Sequence, residues 1–307
     1  MTEAGDSRTS GAPLAILYRG TLSSCNYGCA YCPFAKRVDT REQLADDAED
    51  LRRFIDWVSE RDASTSVFFT PWGEALIRQP YQRALARLTH MPHVGRAAIQ
   101  TNLSMALSWV DDCVAERLGI WATFHPGWSQ RDAFVARVTQ LHERGVQVSA
   151  GVVGMREHLD AIADLRARLP DAVYLWVNAY KRIPGYYRAD ELAFLREIDP
   201  LFPMNNRYHP SRDRACRAGE QVISVAGDGR VRRCHFIAEV IGNIYDADFE
   251  RSLQPRLCSN DTCGCHIGYA HLSHLGLDRV FGAGILERVP AVPRAQLAHY
   301  RLPLHPP

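Results

Sequence analysis

Cys25, Cys29 and Cys32 follow a C-x3-C-x2-C spacing inside one short stretch that also holds Asn26, Tyr27, Gly28, Tyr31 and Pro33. Three thiolates on a single loop can each bind one iron of a [4Fe-4S] cube, because a loop that wraps a compact inorganic core brings its ligands close in sequence. Three ligands leave the fourth iron open to a reactive molecule, whereas four protein thiolates suit storing or passing an electron. Zinc is the alternative chemistry. It usually takes a C-x2-C pair with a second, distant pair, which a lone triple with an aromatic before its last cysteine fits poorly.

A second group, Cys216, Cys234, Cys258, Cys263 and Cys265, lies in the last third of the chain. Cys216 and Cys234 flank a strand-like run at residues 221–225 and the turn Gly227-Asp228-Gly229, which reads as a hairpin by composition. Five cysteines suffice for one four-ligand centre and not two. All five are candidate ligands for that centre, with a structural zinc as the competing reading. His235 and His266 adjoin the cysteines as neighbours. Cys113, the ninth cysteine, falls in an apolar pattern with Trp109, Val110, Val114 and Leu118 that predicts a helix, and reads as a buried, inert thiol.

The elements that must position these residues alternate regularly. Residues 14–18 form an apolar run that reads as a strand feeding the first cysteine loop. Thr40, with Gln43 three residues on, makes a capping box for a helix whose Leu44, Ala48, Leu51, Ile55 and Val58 recur at three- and four-residue steps. Further strands are expected at residues 66–70, 96–101, 120–124, 146–153 and 173–177. Helices are expected between them, one opened by Ser129 with Asp132 and stopped at Gly145, and another ended by Pro170. Six strand-then-helix units demand a parallel sheet with right-handed crossovers, α/β in class, curved into a barrel or most of one. Reactive residues of such sheets gather at the carboxyl ends of the strands. Gly73-Glu74 follows the second strand, Thr101-Asn102 the third and His125 the fourth; Trp176 and Asn178 lie on the sixth. After a helix at residues 190–198 the alternation stops. The expected organisation is a disordered segment at 1–13, a barrel at 14–205, a cysteine-rich domain at 206–275 and an Arg/Leu/Pro tail at 276–307.

The net charge is +1, from 36 basic and 35 acidic side chains among 307 residues, so no overall field draws the chain to nucleic acid or an anionic membrane. No stretch approaches the ~18 apolar residues of a membrane span, and the first residues lack an apolar signal core. A cytoplasmic location is expected, where thiols stay reduced and read as metal ligands before disulfides.

The loop, the six units and the Gly-Glu turn together resemble the radical S-adenosylmethionine (radical SAM) superfamily over roughly residues 14–180. That family has a partial (β/α)6 barrel whose C-x3-C-x-aromatic-C loop follows the first strand, matched here by Cys25, Cys29, Tyr31 and Cys32. The resemblance implies a [4Fe-4S] cluster whose open iron binds SAM, reductive cleavage to a 5′-deoxyadenosyl radical, and abstraction of a substrate hydrogen atom. It implies SAM contacts at Tyr31, Gly73 and Glu74, with Trp72 in place of the first glycine of the family's Gly-Gly-Glu turn. Thr101 and Asn102 are candidates for the ribose or the methionine carboxylate. Ala150, Val152 and Gly154 match the family's G-x-I-x-G stretch beside the adenine, with Ala150 replacing its first glycine. His125 is a candidate for ribose binding or substrate proton transfer.

The C-x12-G-x4-C spacing from Cys216 through Gly229 to Cys234, and Ile241-Gly242-Asn243-Ile244, resemble the SPASM and twitch auxiliary-cluster domains that follow many radical SAM barrels. The resemblance is closer to a twitch domain and implies one auxiliary [4Fe-4S] cluster, held by Cys216, Cys234, Cys263 and one of Cys258 or Cys265, which can take an electron from a substrate radical. The expected activity is oxidation or cross-linking of a peptide or protein side chain. Oxidation or epimerisation of a small metabolite is the alternative, and a non-catalytic iron–sulfur or zinc protein the third reading. The absence of an extra N-terminal domain to grip a leader peptide slightly favours a small molecule or a short motif. An external one-electron reductant of flavodoxin or ferredoxin type is the expected partner.

Overall fold

The computed structural model describes residues 13–35 and 37–297. The expected N-terminal segment, except Pro13, and the end of the expected tail lie outside the described residues. Six parallel strands, β1 (Leu14–Tyr18), β2 (Thr65–Phe69), β3 (Val94–Thr101), β4 (Leu118–Phe124), β5 (Gln147–Gly154) and β6 (Leu175–Ala179), pair in sequence order. The helices α1 (Arg41–Ser59), α2 (Gln79–His90), α3 (Arg131–Glu143) and α4 (Leu159–Arg168) cover one face, and α5 (Ala189–Ile198) follows β6. The capping box forms as read: the Gln43 amide donates to Thr40 Oγ1 and the Thr40 amide to Gln43 Oε1.

Two expected details differ. Between β3 and β4 there is no long helix: Ser108–Asp112 is a 3₁₀ turn, Cys113 caps it, and Leu118 already belongs to β4. Trp109 and Val110 are buried from this short turn, so the apolar pattern is satisfied without a helix. Burial pushes the Cys113 thiol up to about 11, in keeping with an inert role. Ser129 does not cap α3, which starts after Gln130; its hydroxyl instead accepts the backbone N–H of His125 at 3.1 Å.

Beyond α5 the chain returns to the same sheet. After α6 (Phe202–Asn205), β7 (His209–Pro210) and β8 (Ala215–Cys216), strand β9 (Val222–Val225) runs parallel to β1 and continues into the antiparallel β10 (Arg230–Arg232) and β11 (Val240–Asn243). The sheet order is β11-β10-β9-β1-β2-β3-β4-β5-β6, with β6 and β11 at its two ends. Two short ladders join β12 (Arg256–Leu257) to β8 and β13 (Thr262–Cys263) to β7.

Strand alternation divides the core. Ile16, Val67, Ile99 and Ile120 face the helices, whereas Leu17, Phe68, Ala98 and Trp121 face the concave side. That concave core is completed by Tyr269, Leu272 and Leu275, and by Leu277, Val280, Phe281, Leu286 and Leu297 from the segment expected as a tail. Trp176 lies flat in the gap left by Gly151, where a Cβ would stand 1.9 Å from the indole. The loops at the carboxyl ends of the strands remain open to a cavity.

Candidate functional site

The first cysteine loop is braced on three sides. Asp39, just before the helix cap, accepts from the backbone N–H groups of Ser23 and Ser24 at 2.9 and 2.8 Å, and from their hydroxyls at 2.8 and 2.7 Å. Burial alone would raise the Asp39 carboxyl, but these four donors outweigh it and hold it below its ordinary range. The Pro71–Glu74 turn runs alongside, with Trp72 N–H donating to Leu22 O and Glu74 N–H to Ser24 O. Any side chain at Gly73 would meet Ser24 O at 1.9 Å, so this close approach requires glycine. Trp72 has no positive φ, so its backbone is ordinary. On the third side Asn102 Nδ2 donates to Asn26 Oδ1 at 2.8 Å, and Asn26 Nδ2 to Ser104 Oγ at 2.9 Å.

Glu74 is buried and accepts from Thr101 Oγ1 at 2.7 Å, Asn102 N at 2.5 Å and Leu76 N at 3.1 Å. Burial pushes its carboxyl up to about 7 against these hydrogen bonds. His125, at the end of β4, stands 2.8 Å from the Tyr31 hydroxyl and 3.5 Å from Cys29 Sγ. Burial, with His158 adding repulsion, pushes this imidazole down to about 4, so it is neutral at ordinary pH.

These groups share one cavity of about 570 Å³. Its wall includes Cys25, Cys29, Cys32, Tyr31, Gly73, Glu74, Thr101, Asn102, His125, Trp176 and Asn178. Ala150, Val152 and Gly154 are not in that wall; Val153 of β5 is. Ala150 and Val152 pack with the helix-side core, because the period of two turns them away from the concave face. Any contact from these positions to a ligand must come through the backbone.

Among the described residues, no group of three or more His, Cys, Asp or Glu side chains closes up as a preformed metal site. The donor chemistry nevertheless fits a cluster beside a polar ligand. Cys25, Cys29 and Cys32 form no disulfide and line one cavity, and four buried atoms in its wall, Arg19 Nε, Thr123 Oγ1, Trp121 Nε1 and His266 Nε2, have no hydrogen-bond partner. Burial raises the Cys25 thiol, so metal binding there displaces a proton.

The second cysteine set is assembled by pairing. The β8–β12 ladder places Cys216 opposite Arg256, two residues before Cys258, and the β7–β13 ladder places Cys263 opposite His209. Burial raises the Cys216, Cys234 and Cys263 thiols, the last to about 12; repulsion reaches Cys263 first from Cys265 and then from Cys234 and Cys216, and Cys258 bears on Cys216 and Cys234. Cys265 differs: of the five it alone lines the large cavity. His235 is held between Thr70 Oγ1 and Ser224 Oγ, whereas His266 packs its ring against Trp121, Tyr269 and Phe281 and leaves Nε2 without a partner.

Asp39, Asn26 and Thr123 escaped the sequence reading. Asp39 carries no motif signal, being known only by the hydroxyls it gathers, whereas Thr123 sits where a strand-end residue of β4 was open to suspicion.

No family model and no curated protein matches the sequence. Solved structures do match. A structure of native anSMEcpe, an anaerobic sulfatase-maturating enzyme, with bound AdoMet superposes at a TM-score of 0.52 and 17% identity over 78% of this chain and 80% of that chain. The same protein with bound AdoMet and the Kp18Cys peptide matches at 0.52 and 16% over the same shares. BtrN in complex with AdoMet and 2-DOIA matches at 0.39 and 17% over 79% of this chain and 87% of that chain. With six parallel strands in sequence order, an unclosed sheet and the cysteine loop after β1, the chain has the fold of the radical SAM enzymes.

Proposed function

We propose that the chain is a radical SAM enzyme that oxidises or cross-links a peptide or protein side chain. The observation that carries this reading is the single cavity shared by Cys25, Cys29 and Cys32, the Gly73-Glu74 turn and Thr101-Asn102. A [4Fe-4S] cluster with SAM supplies reductive cleavage of the sulfonium bond and a 5′-deoxyadenosyl radical. The chain's own part is to hold and orient. Cys25, Cys29 and Cys32 take three irons, the Glu74 carboxylate accepts N–H from the methionine amine, and Asn102 fixes the loop through Asn26. Thr123 Oγ1, without a partner at the mouth of β4, is available to a ribose hydroxyl, and the β5 backbone at Val152 to Gly154 to an adenine. His125, held neutral, can accept a hydrogen bond from a substrate group beside Tyr31.

Cys216, Cys234, Cys258 and Cys263 are proposed to hold one auxiliary [4Fe-4S] cluster, a fully ligated centre able to accept an electron. A peptide substrate is supported by the anSMEcpe structure with a bound peptide, and an external flavodoxin- or ferredoxin-type reductant by the electron that the chemistry consumes. No helix among the described residues is long and apolar enough to cross a membrane.

The test is anaerobic reconstitution followed by incubation with SAM and dithionite. About eight irons per chain and reductant-dependent 5′-deoxyadenosine are expected. Iron-loaded protein that forms none would overturn the reading. Candidate peptides assayed against a panel of small metabolites separate the peptide substrate from a metabolite.

A further inference from the structure

Arg19 stands at the carboxyl end of β1, its backbone N–H donating to Val225 O of β9. Its guanidinium carbon lies 3.8 Å from the centroid of the Trp72 ring and 5.8 Å from that of Phe34, and all three residues line the large cavity. Trp72 is the residue that departs from the Gly-Gly-Glu pattern. Its indole gives the guanidinium a flat platform, which leaves the N–H edge of the fork free to face a ligand.

No carboxylate answers the charge on this platform; the group that bears on it is the Cys265 thiol in the same cavity wall. Arg19 Nε is buried without a hydrogen-bond partner, and no carboxylate pairs with Arg19 among the described residues. Glu74 is the one carboxylate in the cavity wall; it accepts from Thr101, Asn102 and Leu76 and forms no ion pair with Arg19. The other cations differ in kind. Lys181 Nζ is spent on the backbone carbonyls of Asn205 and Gly264, and Arg182 is exposed. His235, also in the cavity wall, is engaged by Thr70 Oγ1 and Ser224 Oγ. A desolvated cation without a partner is costly, and an anion brought by a ligand offsets that cost.

We propose that Arg19, stacked on Trp72, grips a carboxylate carried by the substrate, which makes it a residue that determines specificity. A planar fork suits bidentate recognition of a carboxylate. One unpaired positive charge matches a monoanion better than a phosphate dianion. The inference rests on the radical SAM reading only in taking this cavity as the substrate chamber.

The experiment uses the full chain, anaerobically reconstituted, with SAM present and no reductant. Calorimetry follows titration with N-acetylglutamate α-amide, a monoanion, and its uncharged counterpart N-acetylglutamine α-amide, with blocked Ala-Glu-Ala and Ala-Gln-Ala tripeptides, and with inorganic phosphate. An acid probe is expected to bind at least about tenfold more tightly than its amide, or about 1.4 kcal/mol. Arg19→Gln should erase that preference, and Arg19→Lys, which keeps the charge but loses the fork, should retain part of it. Iron content equal to wild type shows that a variant has folded; if Arg19→Gln fails this check, Arg19→Lys and the acid-against-amide comparison in the unmodified protein still decide. A preference shown by N-acetylglutamate α-amide points to a small acid, and one shown by the tripeptide alone to an acidic side chain in a peptide. Equal binding of acid and amide, a preference that survives Arg19→Gln, phosphate binding more tightly than either acid, or no binding of any probe at tens of millimolar overturns the assignment. Because no reductant is added, failure to cleave SAM would sink the radical reading and leave this measurement standing.

Discussion

Cys25, Cys29 and Cys32 come from eight consecutive residues, whereas Cys216, Cys234, Cys258 and Cys263 come from segments that only strand pairing brings together. The first set faces a cavity wide enough for a ligand; of the second group only Cys265 reaches it. Openness and closure are thus written into the two regions by where their neighbours come from. A loop leaving a strand at the mouth of a sheet has one side unprotected, and the Gly73-Glu74 turn and Asn102 guard that side with polar atoms. A site stitched across two short ladders is surrounded by its own chain.

Removing a thiol from each region separates these roles most sharply. Cys29→Ala is expected to lower iron by about four per chain. It should also reduce 5′-deoxyadenosine formation by more than the roughly 100-fold that loss of even an outer supporting residue costs a metal site. Cys234→Ala should also lose about four irons yet still cleave SAM when reduced, while forming no oxidised product. Equal SAM cleavage by both variants would erase the contrast.

Within the second region, Cys258→Ser and Cys265→Ser differ next in size. Cys258 directly follows the β12 strand that pairs with Cys216, and Cys265 lines the cavity. Cys258→Ser is therefore expected to lose about four irons and Cys265→Ser none. Iron and sulfide analysis, with the EPR spectrum of the reduced protein, checks it; the reverse result would make Cys265 the ligand.

A smaller, graded effect belongs to Glu74. Burial pushes its carboxyl up to about 7. In the absence of SAM a raised carboxyl contributes stability that is fully present below its unfolded value and lost as pH rises through about 7. SAM binding runs the other way, because the ionised form is the better acceptor for the amine. Affinity should rise roughly tenfold between about pH 6 and about pH 8, and Glu74→Gln should weaken binding and flatten the rise. Anaerobic calorimetry at several pH values measures it.

The two regions were also unequally legible. The first cysteine loop, its capping-box helix and the strand-end positions of Glu74, Thr101, Asn102 and His125 follow from local spacing and periodicity, which one sequence displays. The choice between Cys258 and Cys265 does not, since it depends on a ladder between residues some 40 apart. The pairing of β9 with β1 is equally non-local, and so is the burial of Leu277, Val280 and Phe281, whose spacing reads as an unremarkable apolar scatter until the concave face needs filling. On β5 the alternation itself was readable, but which parity faced the cavity was settled by Trp176 occupying the gap at Gly151.

The weakest expected effect tests the brace and leaves the ligands alone. Asp39 is held below its ordinary range because donors from Ser23 and Ser24 outweigh its burial, so its contribution is present above the unfolded carboxyl value and fades as pH falls through the folded one. Asp39→Ala leaves two backbone N–H groups and two hydroxyls to water at the entrance of the cysteine loop, a loss of about 1–2 kcal/mol for a partly exposed site. The fold should survive, because α1 keeps its Thr40–Gln43 cap and its buried Leu51, Phe54, Ile55 and Val58. What should change is how tightly the loop holds its shape. Iron release to a chelator from the Cys25 loop is expected to be a few-fold faster in the variant, and release from the Cys216 set unchanged. Equal acceleration at both would mean that Asp39 stabilises the whole chain and has no particular hold on the loop.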